Sequence, residues 1–223
     1  QQQLARQAAA RWESVITGDA PDVTYNGRRI DDVAITIRGQ TIDGPGNILG
    51  QAGPEAYRRG SYLPVAGSVI LDSADMATME RNGLLLDVLT HEIGHVLGFG
   101  IFWSQLGLLV GAGTSDPRFV GPQATAEYNA LFGTQASGVP VEAGGGQGTA
   151  LAHWRESVLD TELMTGWIDY GGTPLSRITV GSMADLGYQV NMAAAESFRR
   201  PATRAAAAAL LNKPSTVAAV LLS

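Results

Sequence analysis

Apolar residues along the chain change their period several times, and each change marks an element. Leu4, Ala8, Trp12, Val15 and Ile16 recur at helical spacing and stop before Gly18-Asp19-Ala20-Pro21, which predicts an opening helix packed behind a sheet. Val33, Ile35 and Ile37 alternate with Ala34, Thr36 and Arg38, the period of a half-buried strand, and Ser68 to Asp72 reads as a second strand. The Gly-rich stretch 41–53 between them reads as a loop. From Asn82-Gly83 onward, Leu84, Leu85, Val88, Leu89, Ile93, Val96 and Leu97 leave almost no polar face. A helix apolar nearly all round is a buried one.

Pro122 to Leu131 predicts a further helix, with Pro122 suited to its first turn and Gly133 to its end. Another runs from Arg177 to Leu186, stops at Gly187 and leads into a short strand at Tyr188-Gln189-Val190. Between these regions, Ile101, Phe102, Trp103, Leu106, Tyr128 and Phe132 give the segment 99–152 enough apolar surface to pack, which a disordered linker lacks. The run Ala143-Gly144-Gly145-Gly146-Gln147-Gly148 has no phosphate-loop ending and reads as a flexible connection. After Asn191 the composition turns Ala-rich, and Ala205 to Leu211 predicts a helix behind Pro201. An α+β fold is expected, with an N-terminal twisted mixed sheet and a mostly irregular and helical second part.

The chemistry lies inside the buried helix, at His91-Glu92-Ile93-Gly94-His95. A spacing of four puts two imidazoles on one helix face about one turn apart, where they can share a metal. Glu92 then stands beside an open coordination position. This is the layout of a zinc hydrolase, with Glu92 as general base. A catalytic zinc wants three protein ligands, and the chain has only three histidines. His153 is the remaining one; alone, such a residue is more often an ordinary surface or hydrogen-bonded histidine. Soon after it comes Glu162-Leu163-Met164-Thr165-Gly166, a tight turn with a methionine.

These residues resemble the leishmanolysin-type metzincins, in which the helix motif ends at its glycine, an insertion follows, and a third histidine and a Met-turn come after it. The likeness continues in Phe119-Val120-Gly121-Pro122, in Tyr128 to Gly133 and in Ile178 to Tyr188, and spans residues 10–191. It implies His91, His95 and His153 as ligands of one catalytic Zn2+, Glu92 as the base, Gly98 as the bend beneath the metal and Met164 as the floor. It implies a single metalloprotease domain over 1–191, with an upper lobe to about residue 98 and a lower lobe over 99–191, and a helical tail or linker over 192–223. In metzincins the strand before the active-site helix forms the edge along which substrate lies extended, and residues 53–68 would build that rim. Ile101 occupies the place of the third histidine in the commoner metzincin pattern, and Gly166 the place of the tyrosine of astacin-type relatives.

Two alternatives stand beside this reading. Gly113-Thr114-Ser115-Asp116 resembles the third-ligand segment of aspartate-liganded zincins, which would make Asp116 the ligand. A catalytically silent binding or adhesion module could also keep zinc for stability, although such a module has no use for Glu92. Calcium is compatible with Asp72, Asp75 and Asp116 but has no EF-hand spacing behind it.

Composition narrows the partners. With 223 residues, 45% of them hydrophobic, the chain can bury a sizeable core, and a formal net charge of −6 argues against nucleic acid. No apolar run reaches the about 20 residues needed to span a bilayer. Better-known leishmanolysins are rich in disulfides, whereas this chain has no cysteine, so a bacterial relative stabilised by packing and metal is expected. Gln1-Gln2-Gln3 leads into an amphipathic stretch and not a signal, so any signal or pro-segment of a secreted protein is expected outside these residues. The expected partners are protein or peptide substrates, and the expected state is a monomer.

Overall fold

A computed structural model describes residues 1–200 and the backbone of a short strand at Val217–Ala219. Helix α1 (Gln2–Val15) comes first, with Ala8, Trp12 and Val15 on its buried face as their spacing predicts. The hairpin β1 (Val23–Tyr25) and β2 (Arg28–Ile30) follows, then β3 (Ala34–Gln40), β4 (Gly50–Tyr57) and β5 (Pro64–Asp72). The last three form one sheet in the order β3-β5-β4, with β3 parallel and β4 antiparallel to β5. Buried on both faces, β5 has the near-continuous apolar character of a central strand.

Two expectations are corrected here. The stretch 41–53 is a loop only to residue 49, since β4 starts at Gly50. Its Gly-Gln-Ala-Gly-Pro opening has no alternation to read; it is a strand because the backbone of β5 needs partners on that side. The strand that precedes the helix carrying His91 and His95, β5, is central, and among the described residues the unpaired edges belong to β3 and β4.

Two carboxylates hold the turns around the sheet. Asp72 accepts from the backbone N–H groups of Ile42, Asp43, Gly44 and Ala74, and these bonds hold its carboxyl below the usual carboxylate range. Asp75 accepts from Gly46. Both are spent on ordering the loop 41–46 and form no calcium cage with Asp116.

Helix α2 (Met76–Arg81), with Met79 as its one buried residue, is too short and polar to show in the pattern. It ends in a Schellman motif: Gly83 at φ +73° donates to Glu80 and Leu84 donates to Met79. That motif moves the start of the buried helix, α3 (Leu85–Val96), past Asn82-Gly83. Trp12 Nε1 donates to the Thr90 carbonyl at 2.7 Å and Arg11 pairs with Asp87 at 2.9 Å, so α1 is fixed along α3.

The small strands β6 (Leu109–Val110), β7 (Arg118–Phe119) and β8 (Val139–Pro140) form an antiparallel sheet around helix α4 (Pro122–Phe132). Pro122 opens that helix and Gly133, at φ +63°, closes it. Phe99, Trp103, Phe119 and Trp154 pack ring against ring at 4.7–5.5 Å, a cluster in which Trp103 alone comes from the residues expected to pack the segment 99–152. After α5 (Glu156–Leu159) and β9 (Trp167–Ile168), helix α6 (Arg177–Asp185) lends Asp185 to the N-terminus of α4, where it accepts from Gln123 and Ala124 at 2.9 Å.

Tyr188-Gln189-Val190 forms no strand of its own; Val190 makes one isolated bridge to Ile16. A 3₁₀ turn at Met192–Ala194 follows, and the strand β10 (Val217–Ala219) pairs antiparallel with β9. The helix expected at Ala205 to Leu211 lies outside the described residues. Among the described residues no helix is long and apolar enough to cross a membrane.

Candidate metal centre

Helix α3 brings His91 and His95 together as their spacing requires, with ring centroids 4.6 Å apart. Its own end then delivers the chain beneath them. Gly98, at φ +103°, donates to His95 and Phe99 donates to Gly94, a Schellman motif that reverses the backbone after one residue. A side chain at Gly98 would be strained there, so the bend expected at this glycine has a conformational cause.

His153 arrives without regular structure. Its segment is stitched between two others: Glu142 donates to the His153 carbonyl at 2.9 Å and Trp154 donates to the Met164 carbonyl at 3.0 Å. The preceding glycines adopt left-handed backbone at Gly145, Gly146 and Gly148, with φ of 86°, 83° and 94°. Their composition therefore serves the turn itself.

The three Nε2 atoms converge. His91 and His95 are 2.9 Å apart at these atoms, His91 and His153 3.1 Å, and His95 and His153 3.0 Å. Each ring uses its other nitrogen on a backbone carbonyl: His91 on Leu163 at 2.7 Å, His95 on Phe99 at 3.0 Å, His153 on Thr149 at 3.0 Å. A carbonyl only accepts, so each Nδ1 carries the proton and each Nε2 is left with a lone pair. Three lone pairs meeting at about hydrogen-bond distance repel one another unless a cation sits among them. Burial and neighbouring charge reinforce this: His91 is pushed down to about 3 by burial and by His153, and His153 down to about 4 by burial. Neutral imidazoles are the form that binds metal. The donor set fits a zinc ion, which takes imidazole nitrogen readily and keeps one position open in catalytic sites.

Glu92 is fully buried next in sequence to His91, and neither carboxylate oxygen has a hydrogen-bond partner among the described residues. Burial drives its pKa well above the ordinary glutamate value. A buried acid with nothing to bind is costly, and such groups concentrate where chemistry needs them. Met164 is buried against α3 at Gly94, where a Cβ would lie 2.9 Å from the methionine Cε. Asp116 is elsewhere: half-exposed, it pairs with Arg155 at 2.8 Å and Arg118 at 3.0 Å and takes no part in the histidine cluster. Two residues of the site escaped the sequence. Gly50 abuts Glu92, and Glu162, the first residue of the methionine turn, is a buried carboxylate for which no role was expected. Glu162 follows the polar pair Asp160-Thr161, so nothing in the sequence signals its burial, and Gly50 left no signal either.

Three convergent imidazoles with a buried carboxylate next in sequence make a candidate metal site, and comparison with known proteins gives the family. The peptidase family model described as leishmanolysin matches residues 58–218. A leishmanolysin-like peptidase of Drosophila melanogaster is 41% identical over 71 residues, covering 31% of this chain and 10% of that protein. A leishmanolysin homolog of Crithidia fasciculata is 28% identical over 145 residues, covering 61% of this chain and 22% of that protein. The chain therefore belongs to the leishmanolysin family, while its matches span only a tenth to about a fifth of these relatives' length.

Proposed function

We propose that the chain is a zinc-dependent endopeptidase of the metzincin type, with His91, His95 and His153 as zinc ligands, Glu92 as general base and Met164 as the floor of the site. The observation that carries this is the convergence of three acceptor nitrogens beside an unpartnered buried carboxylate. Bound zinc would supply Lewis acidity and a water of lowered pKa. Glu92 would take a proton from the attacking water and pass it to the leaving amine, acting first as base and then as acid. A silent zinc-stabilised module would gain nothing from a buried, unpartnered Glu92.

The substrate we propose is an extended peptide along β4. Asp72 donates to the Leu49 carbonyl at 2.9 Å, which sets the alternation of this antiparallel ladder. Gln51 and Gly53 then face β5, while Gly50, Ala52 and Pro54 turn their backbone groups to the free edge. Gly50 and Ala52 can both donate and accept there; Pro54 has no N–H, and the register shifts just beyond it. We place the division into upper and lower lobes at Gly98, and we propose a secreted monomer acting on proteins or peptides, with no nucleic acid as partner.

Metal content after dialysis tests the ligand set. His153→Ala should lose zinc and Asp116→Ala should keep it. Zinc retained by the first variant and lost by the second would reverse the assignment.

A further inference from the structure

Glu162 lies fully buried outside the triad of histidines, and its carboxylate is surrounded by donors. One oxygen accepts the Met164 N–H at 2.6 Å. The other accepts the Ser176 N–H at 3.1 Å, the Ser176 hydroxyl at 2.7 Å and the Thr179 hydroxyl. Burial pushes its pKa above the ordinary glutamate value, while every partner donates and so works against that rise in favour of the ionised form.

The Met164 N–H belongs to the same peptide group as the Leu163 carbonyl, and that carbonyl accepts Nδ1–H of His91. A negative charge on the N–H side of a peptide raises the electron density on its oxygen, and hydrogen bonds in such a chain strengthen one another. The bond from His91 is the shortest of the three imidazole bonds, 2.7 Å against 3.0 Å for His95 and His153. The peptide behind His153's acceptor, Thr149–Ala150, donates to a neutral carbonyl, that of Gly146. The carboxylate also reaches the His153 segment, because Trp154 Nε1 donates to Thr179 Oγ1 at 2.8 Å and the Trp154 N–H to the Met164 carbonyl at 3.0 Å.

We propose that Glu162 is a positioning residue for the metal centre: through the Leu163–Met164 peptide it fixes the tautomer and orientation of His91 and makes its Nε2 a stronger donor to the metal. The proposal rests on the zinc reading given above. Partners of this kind behind a metal ligand are worth about 10- to 100-fold in metal affinity.

The test is NMR of the Nδ1–H protons in protein labelled with ¹⁵N-histidine, together with zinc affinity by chelator competition. In the wild type the His91 proton should resonate furthest downfield of the three. Glu162→Gln should move it upfield, leave the His95 proton in place and weaken zinc binding by about 10- to 100-fold. Ser176→Ala removes one donor but keeps the Met164 bond, and should leave the His91 proton and the zinc affinity near wild type. Equal losses of affinity in both variants with an unshifted His91 proton would reduce Glu162 to general support and overturn the proposal. Should Glu162→Gln fail to fold, the wild-type ordering decides: a His91 proton upfield of the other two overturns it. Failure of the zinc reading would look different, as a wild-type protein that takes up no zinc.

Discussion

Gly50, the first residue of β4, lies directly against the carboxylate of Glu92: a Cβ at position 50 would sit 2.5 Å from Oε1 and 3.0 Å from the carboxyl carbon. The strand edge assigned to substrate and the proposed base are therefore in contact. Any side chain at 50 must push the buried carboxylate from its place. Gly50→Ala should keep the fold and the zinc while lowering kcat/KM by about 10- to 100-fold, the cost of misplacing a reacting group by an ångström or so. Gly53, on the same strand, has open space where its Cβ would go, and Gly53→Ala should retain activity. Peptidase assays with zinc analysis on both variants check the contrast; equal activity in the two would detach Gly50 from the base.

Glu92→Gln is nearly isosteric and removes the only carboxylate on α3 adjacent to a proposed ligand. The variant should bind zinc and melt like the wild type yet lose at least about a hundredfold in kcat, since general acid-base catalysis contributes roughly 10²- to 10⁴-fold. Full residual activity in a zinc-replete variant would remove Glu92 from the mechanism.

How much of this could be read from the chain depends on where each residue's role is encoded. His91 and His95 were legible because their pairing is local: four residues on a helix, buried by Leu85, Val88, Leu89, Ile93 and Val96. Trp12 and Val15 were legible for the same reason. His153 sits in irregular backbone held by Glu142 and Met164, so no period points to it, and the likeness to a family carried that assignment. The strand β4 was invisible because its residues alternate nothing; pairing with β5 makes it. Of Asp72 and Asp75, read as calcium candidates, the first accepts four backbone N–H groups and the second the N–H of Gly46, and only the fold determines where those groups lie. Gly50 shows itself only through its contact with Glu92, and the burial of Glu162 only through its bonds to Ser176 and Thr179.

A pH effect on stability follows from Glu156. Burial, with the charges of Asp169, Asp160 and Glu142, pushes its pKa from 4.5 up to about 8, against a lowering hydrogen bond from Thr165. The folded state thus holds a proton on Glu156 that the unfolded chain gives up near 4.5. Its contribution to stability is complete below the unfolded value and is lost as pH rises through about 8. Glu156→Gln, which mimics the neutral acid, should melt like the wild type near about pH 4 and well above it at about pH 9, since that rise in pKa is worth several kcal/mol there and each gives about 2–4 °C in a domain of this size. A constant difference between the two proteins across that range would show that Glu156 does not titrate in it.

The last prediction concerns how the two halves of the metal centre are held in register. Gly100, just past the bend at Gly98, has φ +77°, and a Cβ there would lie 2.3 Å from the Ala152 carbonyl oxygen and 2.9 Å from the Ala152 Cα. Ala152 is the residue before His153, so the chain leaving α3 touches the backbone that carries the third proposed ligand. Backbone cannot yield as a flexible side chain can, and Gly100→Ala should drive the 152–153 segment away from His91 and His95. Such a substitution also carries the strain of left-handed backbone, about 1–3 kcal/mol, and that part must be separated from the collision. Gly107 supplies the control: its φ is +69° and its Cβ would meet nothing within 4 Å. Both alanine variants should lose thermal stability, but only Gly100→Ala should weaken zinc binding, by about tenfold or more, as expected when one ligand of three is held off its position. Chelator competition on the two variants measures this directly. Equal zinc affinities would mean that His153 finds the metal without the close approach at Gly100, and that the stitching by Glu142 and Met164 is enough to place it.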